Sequence, residues 1–64
     1  MSNMIDLTKI DSYKLLAEVE RIYGIYVSTL DINNGIAYDT TGKAYRISGI
    51  MLDILYEQNN NREV

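Results

Sequence analysis

Two glycine-bearing breaks, Asn33-Asn34-Gly35 and Thr41-Gly42, cut the middle of this chain into three short runs. The runs cover residues 25–32, 36–40 and 43–48 and are rich in Ile, Val, Thr and Tyr. Gaps this short leave no room for a crossover connection, so neighbouring strands must be antiparallel hairpins. A three-stranded meander is the expected centre of the fold.

Turn geometry sets which side chains share a face, because strand side chains alternate with a period of two. A three-residue first loop with Gly35 at a left-handed bulge position pairs Ile32 with Ile36 and Leu30 with Tyr38. A two-residue or four-residue second turn pairs Thr40 with Lys43, Tyr38 with Tyr45 and Ile36 with Ile47. Both choices give one inner face: Leu30, Ile32, Ile36, Tyr38, Tyr45 and Ile47. The outer face then carries Thr29, Asp31, Ala37, Asp39, Ala44 and Arg46, with Ile25 and Val27 at one end, and is mostly small or polar, as suits a solvated sheet face.

Helices flank the meander. Over residues 12–23, Leu15, Leu16, Val19, Ile22 and Tyr23 recur at helical spacing, opposite Lys14, Glu18 and Arg21. Asp11 is the expected N-cap, Ile10 can staple onto Leu15, and Gly24 ends the helix with positive φ. The leader 1–10 falls out of phase with this stripe and is read as an arm or separate turn. A second helix is expected over residues 49–58, with Ser48 as N-cap and Ile47 stapling onto Leu52. Ile50, Met51, Leu52, Ile54, Leu55 and Tyr56 cover much of its circumference, leaving Asp53 and Glu57 as a polar stripe. Residues 59–64 read as a flexible polar tail. The expected architecture is one α+β domain over residues 1–64, in α-β-β-β-α order, with both helices on one face of the antiparallel meander.

This element order resembles that of the double-stranded-RNA-binding domain. That family meets phosphates with basic residues at the start of its second helix. The corresponding stretch here, Ser48-Gly49-Ile50-Met51-Leu52-Asp53, has none. The whole chain has nine Asp and Glu against six Lys and Arg, a formal charge of -3. Duplex nucleic acid is therefore not the expected partner.

Missing residue types narrow the chemistry further. There is no Cys and no His in the 64 residues. Thiolate nucleophiles, the commonest general base and the commonest metal ligands are absent. Gly42-Lys43 lacks the spacing and hydroxyl of a phosphate loop, because Ala44 follows it. Asp31-Ile32-Asn33-Asn34-Gly35 places Gly one position early for a calcium loop, and Gly42 stands where a bidentate Glu is needed. Neither a cofactor nor a metal site is expected. Carboxylate pairs such as Asp31 with Asp39, or Asp53 with Glu57, need a desolvated pocket for acid–base work, and so small a domain has little depth. The chain is not expected to be an enzyme. No apolar run approaches the ~18 residues of a membrane span, and residues 1–6 lack a signal-peptide pattern. A cytoplasmic protein is expected.

The remaining expectation is a protein-binding regulator or inhibitor that occupies a macromolecular surface. Small acidic proteins free of Cys are common among bacterial and phage-encoded regulators. The over-apolar second helix supplies the candidate interface: Ile50, Met51, Ile54, Leu55 and Tyr56. On it the chain is expected to homodimerise, because a 64-residue core is marginal alone. Asp31, Asp39, Asp53 and Glu57 are candidate partner-facing acids that could compete with nucleic acid for a basic groove. Two alternatives differ in class. One is a structural subunit with the second helix as its oligomer seam. The other is nucleic-acid binding through the sheet, which needs outward aromatics. The preferred register turns Tyr38 and Tyr45 inward. A slip of one residue would turn them outward.

Overall fold

The structure, a computed structural model, describes the backbone of residues 7–61 and the side chains of residues 7–59. A short 3-10 turn (η1, Leu7–Lys9) leads into α1 (Ser12–Tyr23). Strands β1 (Val27–Asp31), β2 (Ile36–Asp39) and β3 (Ala44–Arg46) follow, then α2 (Ser48–Asn61). The sheet is antiparallel with order β1-β2-β3. The core joins Ile10, Leu15 and Val19 with Ala37 of β2, then Ile47, Met51, Ile54 and Leu55. Both helices thus cover the face of the sheet that carries Ala37. The expected fold class is the observed one.

Asp11 caps α1 as expected: one carboxylate oxygen accepts the backbone N–H groups of Tyr13 (3.1 Å) and Lys14 (3.2 Å). Ile10 and Leu15 are both buried, as the staple requires. Gly24 ends the helix at φ 67°, its N–H bonded to the Glu20 carbonyl. Of the leader, residues 1–6 lie outside the described residues, and residues 7–10 form the separate turn.

The second helix departs from expectation at both ends. Ser48 lies inside α2, not at its cap, because the Met51 N–H already bonds the Ile47 carbonyl at 3.0 Å. Ile47 is fully buried while Leu52 is 48% exposed, so the expected staple onto Leu52 is not the role Ile47 takes. At the far end the helix runs past Gln58 to Asn61. Gln58 anchors this extension: its carbonyl oxygen accepts the Asp11 N–H (2.7 Å) and its amide donates to the Lys9 carbonyl (3.0 Å). Residues 62–64 lie outside the described residues. The Gln58 bonds bring the end of α2 to the start of α1, so the two helices run antiparallel.

The strand register is one residue away from the expected one in both hairpins. Asp31 pairs with Ile36, Leu30 with Ala37 and Thr29 with Tyr38, with an irregularity between Val27 and Thr29. On the other side Ile36 pairs with Arg46, Ala37 with Tyr45 and Tyr38 with Ala44. Ala37 is fully buried, so alternation along β2 turns Ile36 and Tyr38 to the opposite face. Ile36 and Tyr38, expected inside, are outside, and Ala37 and Asp39, expected outside, share the inner face. Tyr45, Leu30, Ile32 and Ile47 keep the inner positions expected of them, whereas Ile25 and Val27, expected at one end of the outer face, pack against the core, because the irregularity between Val27 and Thr29 resets the alternation.

The turns explain the shift. In the first, the Gly35 N–H bonds the Ile32 carbonyl at 3.2 Å around Asn33-Asn34. No non-glycine residue among those described has positive φ, whereas Gly35 has φ 68°. In the second, the Asp39 N–H bonds the Lys43 carbonyl and the Gly42 N–H bonds the Asp39 carbonyl, both at 3.0 Å. The loop is thus three residues, Thr40 to Gly42, with Gly42 left-handed at φ 90°.

Gly35 is also where the first hairpin meets α2. A Cβ at this position would lie 3.2 Å from the Ser48 Cβ. Its carbonyl accepts the Ile47 N–H at 2.8 Å. Replacing Gly35 by Val therefore combines a left-handed backbone with a close contact. We expect Gly35→Val to lower the unfolding free energy by about 1–2 kcal/mol or more, measured by urea denaturation.

Candidate functional site

The expected interface residues divide between the core and the surface. Met51, Ile54 and Leu55 are buried within the chain's own core, and Ile50 is half-buried at its margin. Tyr56 alone of the five is well exposed, at 69%. Leu52 lies one helical turn before it, so the two form an exposed apolar ridge on α2. This ridge continues into a groove of about 220 Å³ between α2, the 3-10 turn and the first hairpin. Leu7, Ile32, Met51 and Leu52 give it an apolar lining. Helical spacing pairs Leu52 with Tyr56 on one flank of the over-apolar helix, and the structure leaves that flank exposed.

A second groove, about 320 Å³, runs between α1 and α2. Ile22, half-exposed, and Ile50 lie in its floor. Lys14, Glu18 and Arg21 rim it from α1, while Asp53 and Glu57 rim it from α2. Lys14 Nζ lies 3.7 Å from Glu57 Oε1 across it. On α1, Arg21 donates to Glu18 at 2.7 Å, which holds the Glu18 carboxyl below its usual pKa.

The four candidate acids do not share one surface. Asp31 lies on the outer sheet face by the first hairpin, where it accepts the Asn34 N–H (3.2 Å) and side-chain amide (2.9 Å). Asp39 lies at the other end of β2 on the inner side, so the two were wrongly placed together on the outer face. Asp53 and Glu57 stand on α2, beside the Leu52–Tyr56 ridge.

Asp39 is committed to the second turn. Its Oδ1 accepts the Thr41 N–H (2.8 Å), the Thr41 hydroxyl (2.6 Å) and the Lys43 N–H (3.1 Å). Its Oδ2 accepts the Tyr45 hydroxyl at 2.9 Å. The Thr41 hydroxyl leads these bonds in holding the Asp39 pKa down, from 3.8 to about 2, with Tyr45 next among the bonds. Reciprocally, the Asp39 carboxylate raises the Tyr45 pKa above its usual value. Tyr45 also meets Tyr23, ring centroids 5.0 Å apart, and Lys43 Nζ lies 5.3 Å from its centroid.

Outward on β2, Ile36 and Tyr38 are half-buried in the middle of the far sheet face. Thr29 and Ala44 flank Tyr38, and Asp31 and Arg46 flank Ile36. Among the described residues, no group of three or more acidic side chains converges as a metal ion would need, and no helix is long and apolar enough to cross a membrane. No family model, curated protein or solved structure matches the chain.

Two outcomes follow from this geometry. The fold lowers the Asp39 pKa, so its contribution to stability is present above pH 3.8 and is lost as pH falls towards 2. In thermal unfolding across that window, Asp39→Asn should lose less stability than the parent chain. Ile54, 3% exposed, is a core residue. Ile54→Asp should abolish cooperative unfolding, seen by circular dichroism, because it buries an unpaired charge.

Proposed function

We propose that this domain is a non-enzymatic protein-binding regulator or inhibitor whose contact surface is the Leu52–Tyr56 ridge with its adjoining groove. The observation that carries this reading is the exposure of two large apolar side chains one turn apart, beside an apolar depression. Tyrosine suits such a surface because it offers area and a polar tip at low entropic cost. Leu7, Ile32 and Met51 line a concavity that can receive an apolar anchor from the partner. Asp53 and Glu57 border the ridge, so the partner's matching surface carries basic residues at its rim. The chain acts by covering that surface, in the cytoplasm of a bacterial or phage-infected cell.

A photo-crosslinking residue at Tyr56 tests this in lysate from the native host. A partner should be captured from position 56 and not from the exposed Ala17 on α1. Leu52→Ser, with the crosslinking residue kept at position 56, should sharply reduce the capture while leaving thermal stability nearly unchanged. Equal capture from both positions would overturn the assignment.

One observation favours a second reading, single-stranded nucleic-acid binding through the sheet. Tyr38 faces outward at the centre of the uncapped face with Arg46 in the neighbouring row, and an outward aromatic is what base stacking requires. The acidic balance and Asp31 on that same face oppose it. Titration with single-stranded oligonucleotides at low salt separates the two: binding lost in Tyr38→Ala and kept in Tyr56→Ser would favour the sheet.

A further inference from the structure

We propose that Asn34 is a site of spontaneous covalent modification, converting to aspartate and isoaspartate through a succinimide, and that Asp31 is the latch that gates the reaction. Asn34-Gly35 is the only place in the chain where a side-chain amide directly precedes a glycine. A glycine has no Cβ to shield its backbone nitrogen from the side chain before it. In the reaction the Gly35 nitrogen loses its proton and bonds Asn34 Cγ. The Cγ–Nδ2 bond breaks, ammonia leaves, and an imide ring closes. Water then opens the ring at either carbonyl. One opening gives aspartate. The other gives isoaspartate, which routes the chain through the side chain and lengthens the backbone by a methylene. The inference is independent of what the Leu52–Tyr56 ridge binds.

The folded turn restrains this chemistry. The Gly35 N–H donates to the Ile32 carbonyl at 3.2 Å, and neither Asn33 nor Asn34 has positive φ. That combination is a type I turn with Asn34 in its third place, where ψ is about 0°. At that ψ the Gly35 nitrogen eclipses the Asn34 nitrogen and stands away from the Asn34 Cβ. Ring closure needs a large rotation about the Asn34 Cα–C bond, which breaks the turn. Asp31 opposes the rotation at two points. Its Oδ1 accepts the Asn34 N–H at 3.2 Å, and its Oδ2 accepts from the Asn34 side-chain amide, the group that must leave, at 2.9 Å. Asn34 is exposed but Gly35 is buried, so a base reaches the Gly35 proton only when the turn opens.

Conversion falls where the first hairpin meets α2. The Gly35 carbonyl accepts the Ile47 N–H at 2.8 Å. Gly35 also lies so close to α2 that a Cβ on it would stand 3.2 Å from the Ser48 Cβ. An added methylene between residues 34 and 35 displaces Gly35 from this seat. Either product also replaces the amide that donates to Asp31 with a carboxylate, so two like charges face each other across the latch. The turn therefore does not close again as before. Asn34 and Gly35 line the apolar groove beside Leu52, and the change remodels that wall. The chain thus carries a one-way conversion whose rate is set by the local opening of one turn.

Incubation of the full chain at mildly alkaline pH, followed by peptide mass spectrometry, tests the proposal. Residue 34 should change from amide to acid, with aspartate and isoaspartate both present, at a rate that rises with pH. In urea, where the turn is open, the same conversion should run at least about tenfold faster. Asp31→Ala, on the outer sheet face, should speed it about tenfold in the folded chain and leave the rate in urea nearly unchanged. Asp31→Asn, which keeps the shape and one accepting oxygen, should give a smaller acceleration and decides the matter if the alanine variant does not fold. The isolated isoaspartate product should unfold at lower urea than the parent chain. Equal rates in the folded and urea-unfolded chain, or a folded-state rate that neither Asp31 variant alters, would overturn the proposal. So would a folded parent chain whose residue 34 stays an amide throughout, or an isoaspartate product as stable as the parent.

Discussion

The Asp39 carboxylate fixes the phase of the sheet, and the rest of the fold follows from that phase. Three of its bonds hold the loop from Thr40 to Gly42, so β3 can pair with β2 in one register only. That register sets Tyr45 opposite Ala37. Tyr45 then reaches back to Asp39 with its hydroxyl and meets Tyr23 of α1 with its ring. Tyr23 in turn donates to the Arg46 carbonyl at 2.6 Å, tying the end of α1 to β3. Glu20, one turn earlier, accepts the Val27 N–H at 2.8 Å. The last turn of α1 therefore holds both outer strands of the sheet. Such bonds also occupy backbone groups that short outer strands would otherwise offer to other chains.

The same phase puts the smallest apolar side chain of β2 where the helices press closest. Ala37 leaves room above the central strand for Leu15 and Val19 from one side and Met51, Ile54 and Leu55 from the other. An isoleucine or tyrosine there would hold the helices away from the sheet. Ile36 and Tyr38 are accordingly turned outward, and the far face of the sheet keeps an apolar centre. Interior packing near crystal density gives such volume constraints their force.

Much of this was legible in the residues. The helix of residues 12–23, its Asp11 cap, its Gly24 stop, the antiparallel meander and the positive φ of Gly35 all follow from local signals. The register was not, because a meander with large residues on both faces gives hydrophobic alternation little power to choose. Ile36 and Tyr38 argued for one phase and Leu30, Tyr45 and Ile47 for either. The signal that decides it is Asp39-Thr40-Thr41-Gly42, a carboxylate placed to accept from backbone groups two and four residues on. For α2, circumference alone marked too many residues as interface. Met51, Ile54 and Leu55 meet the core, and only three-dimensional packing tells them from Leu52 and Tyr56.

Packing divides the surface of α2 into three sectors. One sector is spent on the core and so fixes the helix rigidly against the sheet. The Leu52–Tyr56 ridge then stands on a helix whose Met51, Ile54 and Leu55 are held in the core. The third sector, Ile50 with Asp53 and Glu57, faces Lys14, Glu18, Arg21 and Ile22 of α1, so charges of both signs meet over an apolar floor and Lys14 ties the two helices together through Glu57.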